Sequence, residues 1–489
     1  MPPRLFLQAA PVPRTALRQF INRPENPAKN LESRIMQAFL RQVSQLFALV
    51  LIVLIFLPES ACALAHGEES ADISRYAKKL ERIAHPLDTA DDLDPLLDAI
   101  NGRRTVLLGE ATHGTREFYS WRAEITRRLI EEKDFSFIAV EGDWNAFMAL
   151  NRYVKDLPGA PESARDALMN FDRWPRWMWV NTEIAELAEW LRSYNDQREA
   201  ADKVGFYGMD IYGAQGSLEK GPRYMAKIDE EAAGEMKAAF DCFAPYVDNP
   251  RQYVYDVAGG RVNCADDIAA VLDDLRENRD AYEQKDRTAW FHAKQNTAVA
   301  FRAEKHYRMM VNRDASSWNA RARNFYETVE RLADHYGENA GAIAWAHNTH
   351  VGDARAMQTG PGMENLGMHA RKSLGDDNVF ILGFGTHHGE VTAARAWEGE
   401  RETMTMPEAM AGSLEDVMNR MESPTALFIA KDAEDIAPAW EFIGHRAIGV
   451  TYNPENERGN YVPTVWPQRY DAFLFIDETG PLHPLNNGG

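Results

Sequence analysis

Glu110 with His113, Glu141, Asp210, and His347 with His350 are the side chains in this 489-residue sequence whose types and placement suit proton transfer. Each stands where a short apolar run ends. Residues 105–108 run into Gly109-Glu110, 135–140 into Glu141, 204–207 into Gly208-Met209-Asp210, and 342–346 into His347. An imidazole takes a proton from water near neutral pH, and a carboxylate beside it fixes its tautomer and raises its basicity. The same residue types ligate zinc and similar ions, so a metal-dependent hydrolase built on one His and Glu set stands beside a metal-free one. A serine nucleophile has no G-x-S-x-G elbow to sit on, and there is neither a Walker A run nor a strand followed by G-x-G-x-x-G. Cys242 and Cys264 lack a strand-end setting that would suit a thiolate nucleophile.

A parallel sheet would gather these groups. In open α/β sheets the crevice at the carboxyl ends of the strands is where ligands bind, so neighbouring strands of this kind bring their terminal side chains together. The first run opens a strand, a turn and a helix. Thr115 suits an N-cap, Glu117 the first turn, and Phe118, Trp121, Ile125 and Leu129 form a stripe at helical spacing, with Arg122 at its edge. Helices are expected over residues 66–100, through Phe147, Leu150 and Tyr153, and over 182–194. Residues 216–340 read as helical, polar and acidic, a helical insertion covering one side of the crevice. Further strands are expected over 379–384, leading into Thr386-His387-His388-Gly389, and over 426–429, 447–450 and 473–476. Strand alternating with helix predicts an α/β fold, a mainly parallel central sheet with helices on both faces. Trp174, Trp177 and Trp179, set among Arg and Pro, are either core or the wall of a pocket for an apolar ligand. On the second reading the protein is a non-catalytic extracellular binder.

Composition is that of an ordinary globular chain, 45% hydrophobic and 26% charged, long enough for one large α/β domain with insertions or for two domains. Net charge is -20, from 54 basic and 74 acidic residues. That balance argues against nucleic acid and anionic membranes as partners, which are gripped through clustered Lys and Arg. Residues 36–65 read as a signal peptide. Arg41 precedes the apolar run 47–57, Pro58 and small residues follow, and Ala63-Leu64-Ala65 fits an A-x-A cleavage pattern. The run falls short of the about 20 residues a spanning helix needs, so no stable membrane association is expected after cleavage. Met36 suits a start codon, leaving residues 1–35 as untranslated or disordered sequence and 66–489 as the hydrolase domain. Cys62 invites a lipoprotein reading that Glu59, where a lipobox has an aliphatic residue, argues against. Cys242 and Cys264 remain in the exported chain, and they either pair or stay as two buried thiols.

Five stretches carry a resemblance to a known family: GEATHGTREFYSWRAEITRRLI, AVEGDWNAFMALNRYV, FDRWPRWMWVNTEIAELAEWLRSYN, WAHNTHVGD and NYVPTVWPQRYDAFLFIDET. Together, and in this order, they resemble the erythromycin esterase family from about residue 75 to residue 485. The resemblance implies a mainly parallel α/β core with a helical subdomain. It also implies hydrolysis of an ester, the macrolide lactone in the named members, with no obligatory metal and no cofactor. By position, His113 of the GExxHG motif resembles the family's general base, and Glu110 and Glu141 the carboxylates that orient the base and its water. Arg122 matches the helix arginine near the site, and His347 the second histidine, which meets the substrate or the developing oxyanion. His350 is a weaker match and, with Asp210, Trp174 and Trp177, is expected at the substrate. The sequence thus predicts an exported hydrolase of a small carboxylic ester or lactone.

Overall fold

In the computed structural model of the protein, which describes residues 71–485, the apolar runs form a nine-stranded sheet and a separate two-stranded one. The expected signal peptide, its cleavage site, Met36 and Cys62 lie outside the described residues. The strands are β1 (His85–Pro86), β2 (Thr105–Leu108), β3 (Phe137–Asp143), β4 (Gly205–Asp210), β5 (Ala342–Trp345) and β6 (Val379–Ala394). There follow β7 (Arg401–Met406), β8 (Thr425–Ile429), β9 (Ile443–Arg446), β10 (Tyr461–Thr464) and β11 (Ala472–Thr479). The large sheet runs β1-β8-β11-β6-β2-β5-β3-β4, with β7 on β6 and with β9 and β10 pairing apart from it. Along that order every pair from β11 to β4 is parallel; β8 and β1 add an antiparallel edge, and β7 pairs antiparallel with β6.

Side chains alternate across the sheet with period two, and here both faces are dry. Val106, Leu108, Ile138, Val140, Ile343 and Trp345 face one core, shared with Phe118, Ile125 and Leu129 of the helix Arg116–Lys133 and with Ile184 and Leu187 of Thr182–Asn195. Leu107, Phe137, Ala139, Ala342 and Ala344 face the other, shared with Phe240, Trp290, Phe325 and Leu332. Those last four belong to the helical insertion, which comprises Ala214–Met225, Glu230–Phe243, Pro250–Ala258, Ala265–Glu277, Arg279–Met309 and Ser316–Tyr336. The expected mainly parallel α/β architecture, covered on both faces, is the one observed. No helix among the described residues is long and apolar enough to cross a membrane.

Four strand expectations change. β3 and β4 continue through Glu141 to Asp143 and through Gly208 to Asp210, because they pair with each other across a register shift between Val140 and Asp143. The strand expected over 379–384 is sixteen residues long. Its polar stretch, Thr386 to Gly389, ends the hydrophobic pattern but not the backbone pairing, which runs on along β11. The strand expected over 447–450 lies earlier, at β9, paired with β10; Ile448 makes a single bridge to Thr112.

Cys242 and Cys264 are bridged, with Cα atoms 5.6 Å apart and a separation of 22 positions in sequence. The bridge fastens the end of the helix Glu230–Phe243 to the start of Ala265–Glu277 within the insertion. Replacing both cysteines by serine should cost about 3 kcal/mol, the closure entropy of a loop of this length, read as a lowered urea midpoint. Thiol titration of denatured, unreduced protein should find neither Cys242 nor Cys264 reactive; labelling of both would show that the bridge does not form.

Candidate active site

β2, β5, β3 and β4 are adjacent, parallel, and in this order across the sheet. Their ends therefore deliver Glu110 and His113, His347 and His350, Glu141, and Asp210 to one rim, as the spacing of the sequence motifs predicts. On β2 the chain turns sharply after Glu110. His113 Nδ1 lies 2.9 Å from Glu110 Oε1, and because a carboxylate only accepts, the ring carries its proton on Nδ1 and leaves Nε2 with a free lone pair. Among the described residues no protein atom is hydrogen-bonded to that Nε2. The turn is held close to β6: Thr392 N–H donates to Gly114 O at 3.0 Å, and a Cβ on Gly114 would fall 1.8 Å from Thr392 O.

The other Glu110 oxygen accepts from Arg122 Nη2 at 2.6 Å. Arg122 is fully buried, its guanidinium lying over the rings of Tyr119 and Trp345 at 4.4 and 4.6 Å. It meets this cluster only through Glu110, the carboxylate it holds.

A second charged group surrounds Glu141. Arg321, on the last helix of the insertion, donates from Nη2 to Glu141 Oε1 at 2.8 Å and grips Asp210 with Nε and Nη2 at 2.9 and 2.6 Å. His350 Nε2 is 3.2 Å from Glu141 Oε1 and 3.1 Å from Arg321 Nη1, and its ring stacks on Trp318 at 4.4 Å. Burial resists charge on Glu141, but His350 and Arg321 outweigh it and hold the carboxyl well below the usual carboxylate range. Next along β3, burial pushes the Asp143 carboxyl up to about 6 against the pull of Arg173. Arg321 and Asp143 are not singled out by the sequence: Arg321 sits in the second turn of the helix Ser316–Tyr336 with no strand-end context, and Asp143 two residues beyond Glu141.

The three histidines differ in their affinity for a proton. At His113 burial works against protonation, yet the hydrogen bond that Nδ1–H donates to Glu110 and the charges of Glu141 and Glu110 prevail and raise its pKa above the ordinary 6.5. At His347 burial, then the neighbouring His113, lowers the pKa well below that value. Its two nitrogens are both committed: Nδ1 accepts from Thr349 N–H at 3.2 Å, and Nε2 donates to Ala111 O at 3.2 Å. His347 is thus a neutral ring 4.9 Å from His113, with no N–H left over for a substrate in this arrangement. At His350 burial, against the pull of Glu141, lowers the pKa.

The tryptophans do not gather at this rim as a set. Trp177 and Trp179 are buried in the core, Trp179 edge-on to Phe147 at 5.2 Å. Trp174 is half-buried, donates from Nε1 to Gly399 O, and meets the exposed Trp397 ring at 4.6 Å. The donor set also fits a metal poorly, since Glu110 is shared between His113 and Arg122, and Glu141 between Arg321, His350 and the His347 N–H. Two arginines already neutralise the carboxylates that a cation would need.

Comparison with known proteins agrees with the motifs from residue 130 onward. The sequence profile of the erythromycin esterase family matches residues 130–479. Erythromycin esterase type II of Escherichia coli is 29% identical over 164 residues, 33% of this chain and 37% of that protein. The chain thus spans about two-fifths of the length of the curated relatives it matches. Among solved structures, a Bacillus cereus protein superposes with a TM-score of 0.71 at 20% identity, covering 85% of this chain and 99% of the other. An erythromycin esterase mutant in its open conformation superposes with a TM-score of 0.55 at 13% identity, covering 82% and 96%. With a profile match across 350 residues that includes Glu141, Asp210, Arg321, His347 and His350, the chain belongs to the erythromycin esterase family.

Proposed function

We propose that the protein is an exported hydrolase that opens a carboxylic ester or lactone with a water activated by His113. The observation that carries this reading is the state of His113, protonated on Nδ1 toward Glu110 with Nε2 free. Water gives a proton to Nε2 as its oxygen attacks the carbonyl carbon; the tetrahedral intermediate collapses, the C–O bond to the alcohol breaks, and His113 returns the proton to the leaving oxygen. Acid and alcohol are the products, or one hydroxy acid if the ester is cyclic. Glu110, held by Arg122, stabilises the imidazolium that forms between the two transfers. Arg321 holds Glu141 and Asp210 in place at the same rim. The rival binding-only reading leaned on an aromatic wall, and two of its three rings are core. The family to which the chain belongs supports an ester as substrate, as does the resemblance of the site motifs. His113 is only 7% exposed, so a bulky substrate requires the segments over the site to move. Export is part of the same reading, since a bridged Cys242–Cys264 pair suits an oxidising compartment.

A screen of macrolides and simple esters and lactones, read by mass spectrometry for the addition of one water, tests the reaction itself. Stoichiometric binding without turnover of any of them would replace the hydrolase by a binder. Against a turned-over substrate, His113→Ala should lower kcat by about 10² to 10⁴-fold with an unchanged circular dichroism spectrum. The rate should rise with pH as His113 loses its proton, with a midpoint above 6.5, and Glu110→Gln should move that midpoint down. An acid limb unaltered by Glu110→Gln would separate His113 from the profile. Arg321→Met should cost about 3–5 kcal/mol in urea unfolding by leaving buried carboxylates unpaired, and Arg321→Lys should recover more stability than rate, because an ammonium lacks the planar fork.

A further inference from the structure

The Thr386-His387-His388-Gly389 stretch takes no part in the site above, yet it brings ligand atoms together. β6 and β11 run parallel here, with Thr386 opposite Ile476 and His388 opposite Glu478, so Asp477 comes alongside both histidines. His387 Nδ1 and His388 Nδ1 are 3.3 Å apart, and Asp477 Oδ1 is 3.8 Å from the first and 3.6 Å from the second. A point equidistant from the corners of a triangle with those sides lies about 2.1 Å from each, which is the length of zinc–nitrogen and zinc–oxygen bonds. Among the described residues this is the one group of three His, Cys, Asp or Glu whose ligand atoms all lie within 4.8 Å of one another.

Three further features fit an ion. Asp477 Oδ1 is buried and has no hydrogen-bond partner, although a buried carboxylate oxygen ordinarily finds one. His387 is 93% buried by its side chain, and its Nε2 stands 3.4 Å from Asn419 Nδ2; with that amide turned over, Asn419 Oδ1 would accept Nε2–H and leave Nδ1 for a metal. His388 Nε2 looks toward the Glu478 carboxylate at 4.0 Å, the same kind of outer partner. His388 and Asp477 are about one-third exposed by their side chains, which gives an ion a way in and leaves room for water in a fourth position. We infer that His387, His388 and Asp477 form a site for a divalent transition-metal ion of the zinc class, with two imidazole nitrogens and one carboxylate oxygen as ligands. Such an ion ties the polar middle of β6 to the end of β11, and β6 continues from there to the hydrogen bond with Gly114 beside His113.

The test is titration of the full chain, free of affinity-tag histidines and stripped with chelator, with Zn²⁺ by calorimetry and with Co²⁺ by its visible d–d absorption. Wild-type protein and His113→Ala should each take one ion per chain, and saturation should raise the thermal midpoint. His388→Ala, at the partly exposed corner, and Asp477→Asn should each bind at least about a hundredfold more weakly, and Asn419→Ala about 10 to 100-fold more weakly. Failure of wild-type protein to bind either ion at millimolar concentration would overturn the inference and leave a hydrogen-bonded histidine pair. So would binding retained in both His388→Ala and Asp477→Asn, or binding lost in His113→Ala instead.

Discussion

Glu110 and Glu141 are carboxylates at the mouth of a sheet whose two faces are both dry, and a buried carboxylate remains charged only where a cation is supplied. Each receives an arginine, and the two come from opposite layers. Arg122 reaches Glu110 from the helix that follows β2 and shares its core with Trp345; Arg321 reaches Glu141 from the insertion and lies against Phe325, a residue of the other core. The layers that cover the sheet are therefore tied to each other at the rim by charge, in addition to being held to the sheet by apolar packing. Neither can shift without leaving a carboxylate uncompensated.

This arrangement also assigns the proton. Three imidazoles stand within one cluster, and if all were free to titrate they would compete. His113 has a carboxylate on Nδ1 and nothing on Nε2, whereas both His347 nitrogens are spent on the backbone and His350 lies between an arginine and a glutamate. A proton arriving at His113 produces an imidazolium 4.9 Å from the His347 ring. That charge is tolerable because His347 is neutral; two imidazoliums at such a distance in a buried site would repel strongly. The neutrality of His347 is thus part of what makes His113 able to take a proton.

Much of the site was legible in the sequence for a simple reason: strand ends are marked by a change from apolar to charged, and parallel neighbours bring those marks together. Glu110, His113, Glu141, Asp210, His347 and His350 are all marked in this way, and the order β2-β5-β3-β4 gathers them. Arg321 was invisible because its helix is polar over most of its surface, and nothing local distinguishes an arginine that points into a crevice from one that points into water. β6 was cut short because Thr386 to Gly389 lack an apolar pattern, while the backbone bonds to β11 that carry the strand onward leave no trace in residue type. The role of Arg122 depended on burial: a helix arginine at the edge of an apolar stripe reads as near the site, and only its enclosure between Tyr119 and Trp345 shows that it acts through Glu110.

The His347-Asn348-Thr349-His350 stretch shows how closely the polar framework is drawn around the rim. Its residues turn in different directions within a single helical turn. His347 offers its backbone N–H to Glu141 Oε2 at 3.0 Å, and His350 sends its ring toward the other oxygen of the same carboxylate. Asn348 turns away, donating from Nδ2 to Phe384 O on β6 at 2.7 Å and to His445 Nε2 at 3.0 Å, while His445 in turn bonds Glu415 through Nδ1. The Asn348 amide occupies the space where a Cβ on Gly109 would lie, 2.1 Å from its Oδ1. The glycine that precedes Glu110 is therefore required by an asparagine more than two hundred residues away. The end of β2, the turn after β5 and the middle of β6 are one hydrogen-bonded unit, and the orientation of Glu110 toward His113 is fixed from behind as well as from the side where Arg122 holds it.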